Sequence, residues 1–202
     1  MRLVSSQTFY PGDGHVNHYV DAVPNHDRLM RDLVQSLPLK QESLRFAGGD
    51  VPMPRLTSWH GEPGTSYTYS GKRFEPLPWP DLLLPLRKEL VEIGEFNSVL
   101  VNYYRDGKDS VGFHSDDEPE LGPVIASVSL GSARRFVLKR KSDDEKVEYL
   151  LGGGDCLLMK GALQRYWAHS VPKTSKPVGP RMNLTFRLVT TAPRDPTAWW
   201  RR

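Results

Sequence analysis

The chain has 202 residues, a net charge of +3, 38% hydrophobic and 10% aromatic residues, and one cysteine. That length supports one well-cored globular domain, and the apolar content excludes a disordered chain. Cys156, in the apolar run CLLM, excludes an intramolecular disulfide and a multi-cysteine zinc site, while the mild positive charge permits nucleic-acid binding without arguing for it.

The opening MRLVSSQTFYPGDG lacks the apolar core of a secretory signal, and no apolar run approaches the ~18 residues of a spanning helix, so a soluble intracellular protein is expected. Residues 24–37, PNHDRLMRDLVQSL, predict a helix with Leu29, Leu33, Val34 and Leu37 on its buried face. Residues 46–80 are rich in Gly, Pro and aromatics and read as loops and hairpins. A second helix is predicted over 81–93, with Leu83, Leu86, Leu90 and Ile93 at helical spacing, Pro85 in its first turn and Gly94 as its stop. After residue 97 the pattern shortens to the β-like runs SVLVNYY, VIASVSL, RFVLKR, KVEYLL, DCLLMK and MNLTFRLV. Gly and Pro punctuate them at the spacing of a sandwich or barrel, so the expected class is mainly β with flanking helices. The tail TTAPRDPTAWWRR reads as loosely held, with Trp199 and Trp200 expected to pack back onto the domain and stacking on bases as the alternative.

Within this frame, FHSDDE at 113–118 sets three carboxylates beside a histidine. His114 and Asp116 are two apart, so on an extended strand both side chains leave the same face and bring an imidazole nitrogen and a carboxylate oxygen together. His169, in the β-like RYWAHSVP, is the best third ligand. Two histidines and one carboxylate leave coordination positions open, which suits non-haem Fe(II) and oxygen chemistry; the same set also serves zinc hydrolysis, and a lone H-x-D arises by chance among solvated acids. Arg181, Asn183, Thr185 and Arg187 alternate with Met182, Leu184, Phe186 and Leu188. A polar strand face with two arginines is either solvated or the wall of an anion site, where two guanidiniums can hold both ends of a dicarboxylate. In NYY, Asn102 and Tyr104 share a face and offer a second wall.

Taken in order, N-x-Y, H-x-D-D-E, IASVSLG, a distant histidine and R-x-N-L-T-F-R resemble the AlkB family of Fe(II)- and 2-oxoglutarate-dependent nucleic-acid dioxygenases, from about Pro54 to Leu188. PRLTSWHGEPGTSYTYSG and PLPWP are similar to that family's substrate-recognition region, while the first fifty residues match less clearly. The resemblance implies a double-stranded β-helix, a jelly-roll or cupin-like core, over 97–189. It also implies a nucleotide-recognition lid over 54–80 and an N-terminal elaboration over 1–53, all in one domain over 1–190 with a tail at 190–202.

Carried over by residue, the resemblance implies that His114, Asp116 and His169 ligate iron and form the catalytic centre. Asn102, Tyr104, Arg181, Asn183, Thr185 and Arg187 would bind 2-oxoglutarate, with Arg181 at the distal carboxylate and Arg187 at the one beside the keto group. Asp117 and Glu118 would contact the damaged base, Tyr69 would stack on it with Tyr67 nearby, and Trp59 and Arg55 are further lid residues. Phe46 falls where some relatives carry a wedge for duplex DNA, and Arg134, Arg135, Lys139, Arg140 and Lys141 offer charge to phosphates. The implied cofactors are Fe(II), 2-oxoglutarate as cosubstrate and O2. The implied reaction is oxidative demethylation of 1-methyladenine- or 3-methylcytosine-type bases in DNA or RNA, with succinate, CO2 and formaldehyde released. The expected partner is methylated or alkylated nucleic acid, with no membrane, for a monomer in the cytoplasm or, in a eukaryotic host, the nucleus. Two other readings share part of the pattern. A 2-oxoglutarate hydroxylase of a protein or small molecule needs the metal and arginine motifs but not the tyrosine lid. A non-catalytic binder of alkylated nucleic acid does not need the intact triad.

Overall fold

A computed structural model of the chain describes residues 1–46, 49–69 and 72–190, with the side chains of all of these except positions 10, 11, 44, 46, 67–69 and 72–74. Trp199, Trp200 and the Phe46 side chain lie outside the described residues. The chain opens with a hairpin of β1 (Arg2–Phe9) and β2 (Gly14–Val20), joined by the helical turn α1 (Tyr10–Asp13). Helix α2 (His26–Ser36) follows. The hairpins β3 (Ser43–Phe46) with β4 (Gly49–Pro52), and β6 (Tyr67–Tyr69) with β7 (Lys72–Phe74), flank β5 (Leu56–Gly61). A 3-10 turn over Asp81–Leu83 leads into α3 (Leu84–Leu90). The rest is mostly strand: β8 (Ser98–Tyr104), β9 (Val111–His114), β10 (Leu121–Gly131), β11 (Arg134–Arg140), β12 (Lys146–Leu151) and β13 (Cys156–Lys160), then the turn α4 (Leu163–Tyr166), β14 (Trp167–Val171) and β15 (Arg181–Val189).

Two antiparallel sheets carry the fold. One has the order β1-β2-β13-β10-β15-β8-β5, the other β12-β11-β14-β9. This mostly β architecture with flanking helices is the class that the strand pattern predicts, and it is consistent with the jelly roll that the family resemblance implies. The central strands of the larger sheet, β13, β10, β15 and β8, are buried on both faces, whereas its edge strand β1 is mostly exposed. Val101, Ala126, Val128 and Leu184 on its outer face pack with Leu33 of α2 and Leu90 of α3. On its inner face, Ile125, Leu157 and Met159 meet Phe136, Leu138 and Trp167 of the smaller sheet. Each such large apolar side chain contributes about 1.5–3 kcal/mol by leaving water. Burial on both faces explains why VIASVSL and CLLMK read as near-continuous apolar runs. Among the described residues no helix is long and apolar enough to cross a membrane.

The structure differs from the sequence expectations in four places. On α2, Val34 is 36% exposed, and Met30 packs on the core instead, in the stripe that Leu33 and Leu37 continue. The second helix is shorter than 81–93, because Pro85 cannot donate a backbone hydrogen bond and its ring crowds the carbonyl four residues back. The chain therefore enters it through a 3-10 turn; the α-helix itself ends at Leu90, and residues 91–93 continue as a turn whose Ile93 and Gly94 N–H groups donate to the Leu90 carbonyl. Within the loop-like 46–80 lies β5, a buried strand disguised by its polar residues. His60 satisfies two of them, bonding through Nδ1 to the Pro78 carbonyl (2.9 Å) and through Nε2 to Ser58 Oγ (3.0 Å), and burial holds its pKa low. Finally, β2 pairs with β13 from Cys156↔Tyr19 to Lys160↔His15, so the N-terminal hairpin extends the main sheet. Gly14 permits this approach: its φ is +115°, and a Cβ there would lie 2.5 Å from the Lys160 carbonyl oxygen.

Candidate active site

The two sheets enclose a cavity of about 90 Å³, lined on one side by β8 and β15 and on the other by β9 and β14. Register does most of the assembly. His169 of β14 pairs directly with His114 of β9, which sets the ring centroids 4.3 Å apart. Between the pairs His169↔His114 and Val171↔Val111, Ser170 of β14 opposes both Gly112 and Phe113 of β9, a bulge that turns both Val111 and His114 toward the cavity. Asp116 completes the cluster, and one donor atom from each of the three residues lies within 4.8 Å of the others. Asp116 does not share a strand with His114, however. β9 ends at His114, and residues 115–118 have no regular structure, so strand alternation is not what brings the two together.

The protonation states suit a divalent cation, whose ligands must be deprotonated. Burial lowers both imidazoles, His169 to about 3. Burial alone would raise Asp116, but the charge of Arg187, with lesser effects from His169 and His114, holds its carboxyl well below the usual range. The Arg187 guanidinium lies 2.6 Å from Asp116 Oδ2, with both side chains 4% exposed. His114 donates from Nδ1 to the Gly112 carbonyl (2.9 Å), which leaves Nε2 as the nitrogen that could ligate a metal. His169 stacks on Phe136 at 5.3 Å.

The opposite wall is a polar ladder. β15 pairs with β8 as Arg181↔Tyr104, Asn183↔Asn102 and Thr185↔Leu100, and with β10 as Asn183↔Ser129 and Thr185↔Ser127. Thr185 Oγ1 donates to Asn183 Oδ1 (2.8 Å), and Asn183 Nδ2 donates to Ser127 Oγ (2.8 Å). Asn102, Tyr104, Asn183, Thr185 and Arg187 line the cavity, whereas Arg181 lies under the Tyr104 ring, 5.4 Å from its centroid. Arg181 is 1% exposed and donates from Nη2 to Ser129 Oγ (2.8 Å); its Nε and Nη1 have no hydrogen-bond partner among the described residues. A fully buried guanidinium with two open donors fits a carboxylate ligand. With two imidazoles and an ionised carboxylate on the facing wall, the residues fit Fe(II) and 2-oxoglutarate together.

The remaining sequence candidates fall in different places. Arg55 and Trp59 line the cavity, and Arg55 donates from Nε to Asn102 Oδ1 (2.8 Å), which ties it to the ladder. Asp117 points outward, 3.3 Å from Lys141 Nζ, while burial and then the Asp116 charge push Glu118 up to about 7. Tyr67 and Tyr69 are on β6, and their side chains lie outside the described residues. The basic cluster is engaged within the protein. Arg134 donates to the backbone carbonyls of Asp106, Asp109 and Pro172, Arg135 pairs with Glu148, Lys139 with Asp144, and Arg140 with Asp13 and Asp143. Ser127, Ser129, Glu42 and Gln164 escaped sequence reasoning. The serines alternate with Ala126, Val128 and Leu130, a period-2 signal that was legible; Glu42 and Gln164 left no such signal.

Known proteins match this arrangement. A family model for the 2OG-Fe(II) oxygenase superfamily matches residues 12–187. The chain is 42% identical over 205 residues to the alpha-ketoglutarate-dependent dioxygenase alkB homolog 3 of Mus musculus, an alignment covering 95% of this chain and 68% of that protein, so it spans about two thirds of that relative's length. It is 36% identical over 178 residues to the DNA oxidative demethylase ALKBH2 of Mus musculus, covering 81% of this chain and 74% of that protein. In fold it resembles the solved structure of OsALKBH1, with a TM-score of 0.65 at 19% identity, over 91% of this chain and 100% of that one. The extent of the family match and the level of identity agree with a cavity whose residues fit a cation and a dicarboxylate: the chain belongs to the AlkB family of 2OG-Fe(II) oxygenases, dioxygenases that use Fe(II), 2-oxoglutarate and O2.

Proposed function

We propose that this protein oxidatively demethylates N-alkylated bases, of the 1-methyladenine and 3-methylcytosine type, in DNA or RNA, and so repairs alkylation damage. The observation that carries the reading is the cavity itself, where two neutral imidazoles, an ionised carboxylate and a polar strand ladder converge beneath Trp59 and Arg55. The relatives named as an alkB homolog dioxygenase and a DNA oxidative demethylase support the substrate class. His114, Asp116 and His169 would hold the iron. Arg181 would take the distal carboxylate of 2-oxoglutarate and Arg187 the carboxylate beside the keto group, with Asn102, Tyr104, Asn183 and Thr185 completing that wall. Bound together with O2, these groups supply an oxidation that converts 2-oxoglutarate to succinate and CO2 and hydroxylates the N-methyl group, which leaves as formaldehyde.

The chain's own residues orient the substrate and exclude water. A base must leave the helix to reach the cavity, and an extruded base needs a π-face to rest on. We assign that face to Tyr69, supported by Tyr67 and Trp59. Asp117 and Glu118 would accept from the exocyclic amine of the base and favour its positive charge, and Arg55 would close the entrance. The protein would act as a monomer in the cytoplasm or nucleus.

The deciding experiment measures succinate with and without a methylated oligonucleotide. Succinate formation stimulated by the oligonucleotide, with one formaldehyde per succinate, is the expected result. Turnover indifferent to the oligonucleotide indicates a hydroxylase of another substrate, and retention of the oligonucleotide without succinate indicates a binder. Tyr69→Ala should lower demethylation roughly five- to 150-fold while Tyr69→Phe stays mild, since base–aromatic stacking contributes about 1–3 kcal/mol.

A further inference from the structure

Asp116 is the one member of the triad that no strand carries, and it is held by side chains instead. Its backbone N–H donates to Oε1 of Gln164 at 3.1 Å. Ser115 Oγ donates to the Trp167 carbonyl at 3.2 Å, and Lys141 Nζ donates both to the Gln164 carbonyl (3.0 Å) and to the Asp117 carboxylate (3.3 Å). Residues 115–117 are thus fastened to the α4 turn and the start of β14, the strand that carries His169.

Gln164 is suited to this task. It is 7% exposed, and its Nε2 reaches Met159 Sδ at 3.5 Å, which fixes the amide's orientation and turns Oε1 toward Asp116. The turn behind it is braced in turn: Trp167 Nε1 and Arg140 Nε both donate to Asp13 Oδ2, at 3.3 and 3.1 Å. The tether matters because Arg187 contends for the same carboxylate at 2.6 Å. The carboxylate also stands 4.0 Å from His114 Nε2 and 3.8 Å from His169 Nε2, so it is shared between the guanidinium and the imidazoles. The bond to the Asp116 backbone N–H fixes where that side chain starts, and so keeps its oxygens within reach of both imidazoles while Oδ2 meets Arg187.

We propose that Gln164 is a positioning residue for the metal centre, holding Asp116 in place against His114 and His169; this rests on the triad being the metal site. The test titrates the metal-free protein with Co(II), reading affinity and the visible ligand-field spectrum, and records the melting temperature of each metal-free variant. Gln164→Met keeps the length and removes the amide oxygen. It should weaken Co(II) binding roughly ten- to hundredfold, the usual effect of losing a group that orients a ligand, and change the spectrum. Lys141→Met removes the outer tie and should weaken binding in the same direction by a smaller factor. A merely structural role predicts a lower melting temperature with unchanged affinity and spectrum. A folded Gln164→Met that binds Co(II) like the wild type overturns the proposal, and if that variant does not fold, unaltered affinity in Lys141→Met overturns it equally. Asp116→Ala separates the two layers of the argument: undiminished Co(II) binding there refutes the metal reading itself, whereas its loss together with an indifferent Gln164→Met refutes only the positioning role.

Discussion

The two sides of the cavity are built by different means. On one side, β8, β10 and β15 present Asn102, Tyr104, Ser127, Ser129, Asn183 and Thr185 from paired strands, so the pleat places the whole set at once. On the other, Ser115–Asp117 lies beyond the end of β9, and each residue is placed by its own contact: Ser115 by Trp167, Asp116 by Gln164 and Arg187, Asp117 by Lys141. A strand-borne wall should lose one ligand contact at a time when altered, because the backbone ladder is indifferent to a single side chain. A tethered segment should lose geometry as well.

The largest effect is expected on the tethered side. Asp116→Ala should abolish metal binding and turnover, and should also destabilise the metal-free protein, since Arg187 loses a buried counter-charge. Removing one partner of a buried ion pair costs about 3–5 kcal/mol, visible in a denaturant melt. On the ladder side, Arg181→Ala should raise the 2-oxoglutarate concentration needed for turnover tenfold or more, because hydrogen bonds to charged groups contribute about 1.5–3 kcal/mol each. Arg181→Lys should rescue only part, as an ammonium lacks the planar fork. Co(II) affinity should be untouched in both Arg181 variants, and its loss would break the comparison.

Between the two sides runs the 105–110 loop, which joins β8 to β9. Asp109 accepts from the Arg105 backbone N–H (2.9 Å), Nε (2.7 Å) and Nη2 (2.8 Å), and the Arg105 side chain holds its carboxyl below the usual range. A depressed folded pKa stabilises above the unfolded carboxylate pKa, and that stabilisation fades as pH falls. Asp109→Asn should therefore be destabilised by about 1–2 kcal/mol at neutral pH, a figure reduced because Arg105 is half exposed, and the gap in melting temperature should close as pH is lowered below about 4. A gap independent of pH would mean that the loop is held by shape alone. The smallest effect concerns the back of the ladder sheet. Cys156 is 0% exposed and burial pushes its thiol up to about 12, so iodoacetamide at pH 8 should leave the native protein unlabelled. Labelling without denaturant would show that this sheet opens readily and is not the rigid wall described.

Legibility in the sequence follows the same divide. The alternation in RMNLTFR and NYY identified two faces, and the structure turns the polar face of each inward, because a period-2 pattern survives whatever the strands pair with. The helices, too, announced themselves through Leu33 and Leu90. What stayed hidden were positions fixed by a single long-range contact. Gln164 sits 48 residues from Asp116, and nothing in ALQRYW hints that its amide serves another loop. β5 was hidden for a related reason: Thr57, Ser58 and His60 make it look like a loop until the cavity and the Pro78 carbonyl supply their partners. The motifs H-x-D and R-x-N-L-T-F-R carried the family, but not the means by which Asp116 reaches its place.

The bulge in β9 has a consequence for which changes this strand can absorb over generations. Gly112 stands at the bulge with nothing within 4 Å of where a side chain would begin, so many residue types fit there. Losing that residue would also be absorbed. Val111 and the histidine would then stand two apart against His169 and Val171, an unbulged ladder in which both still leave the same face. An added residue is another matter, because each single-residue shift of a regular strand swaps its faces, so in-frame insertions between Val111 and His114 should be more damaging than the loss or substitution of Gly112.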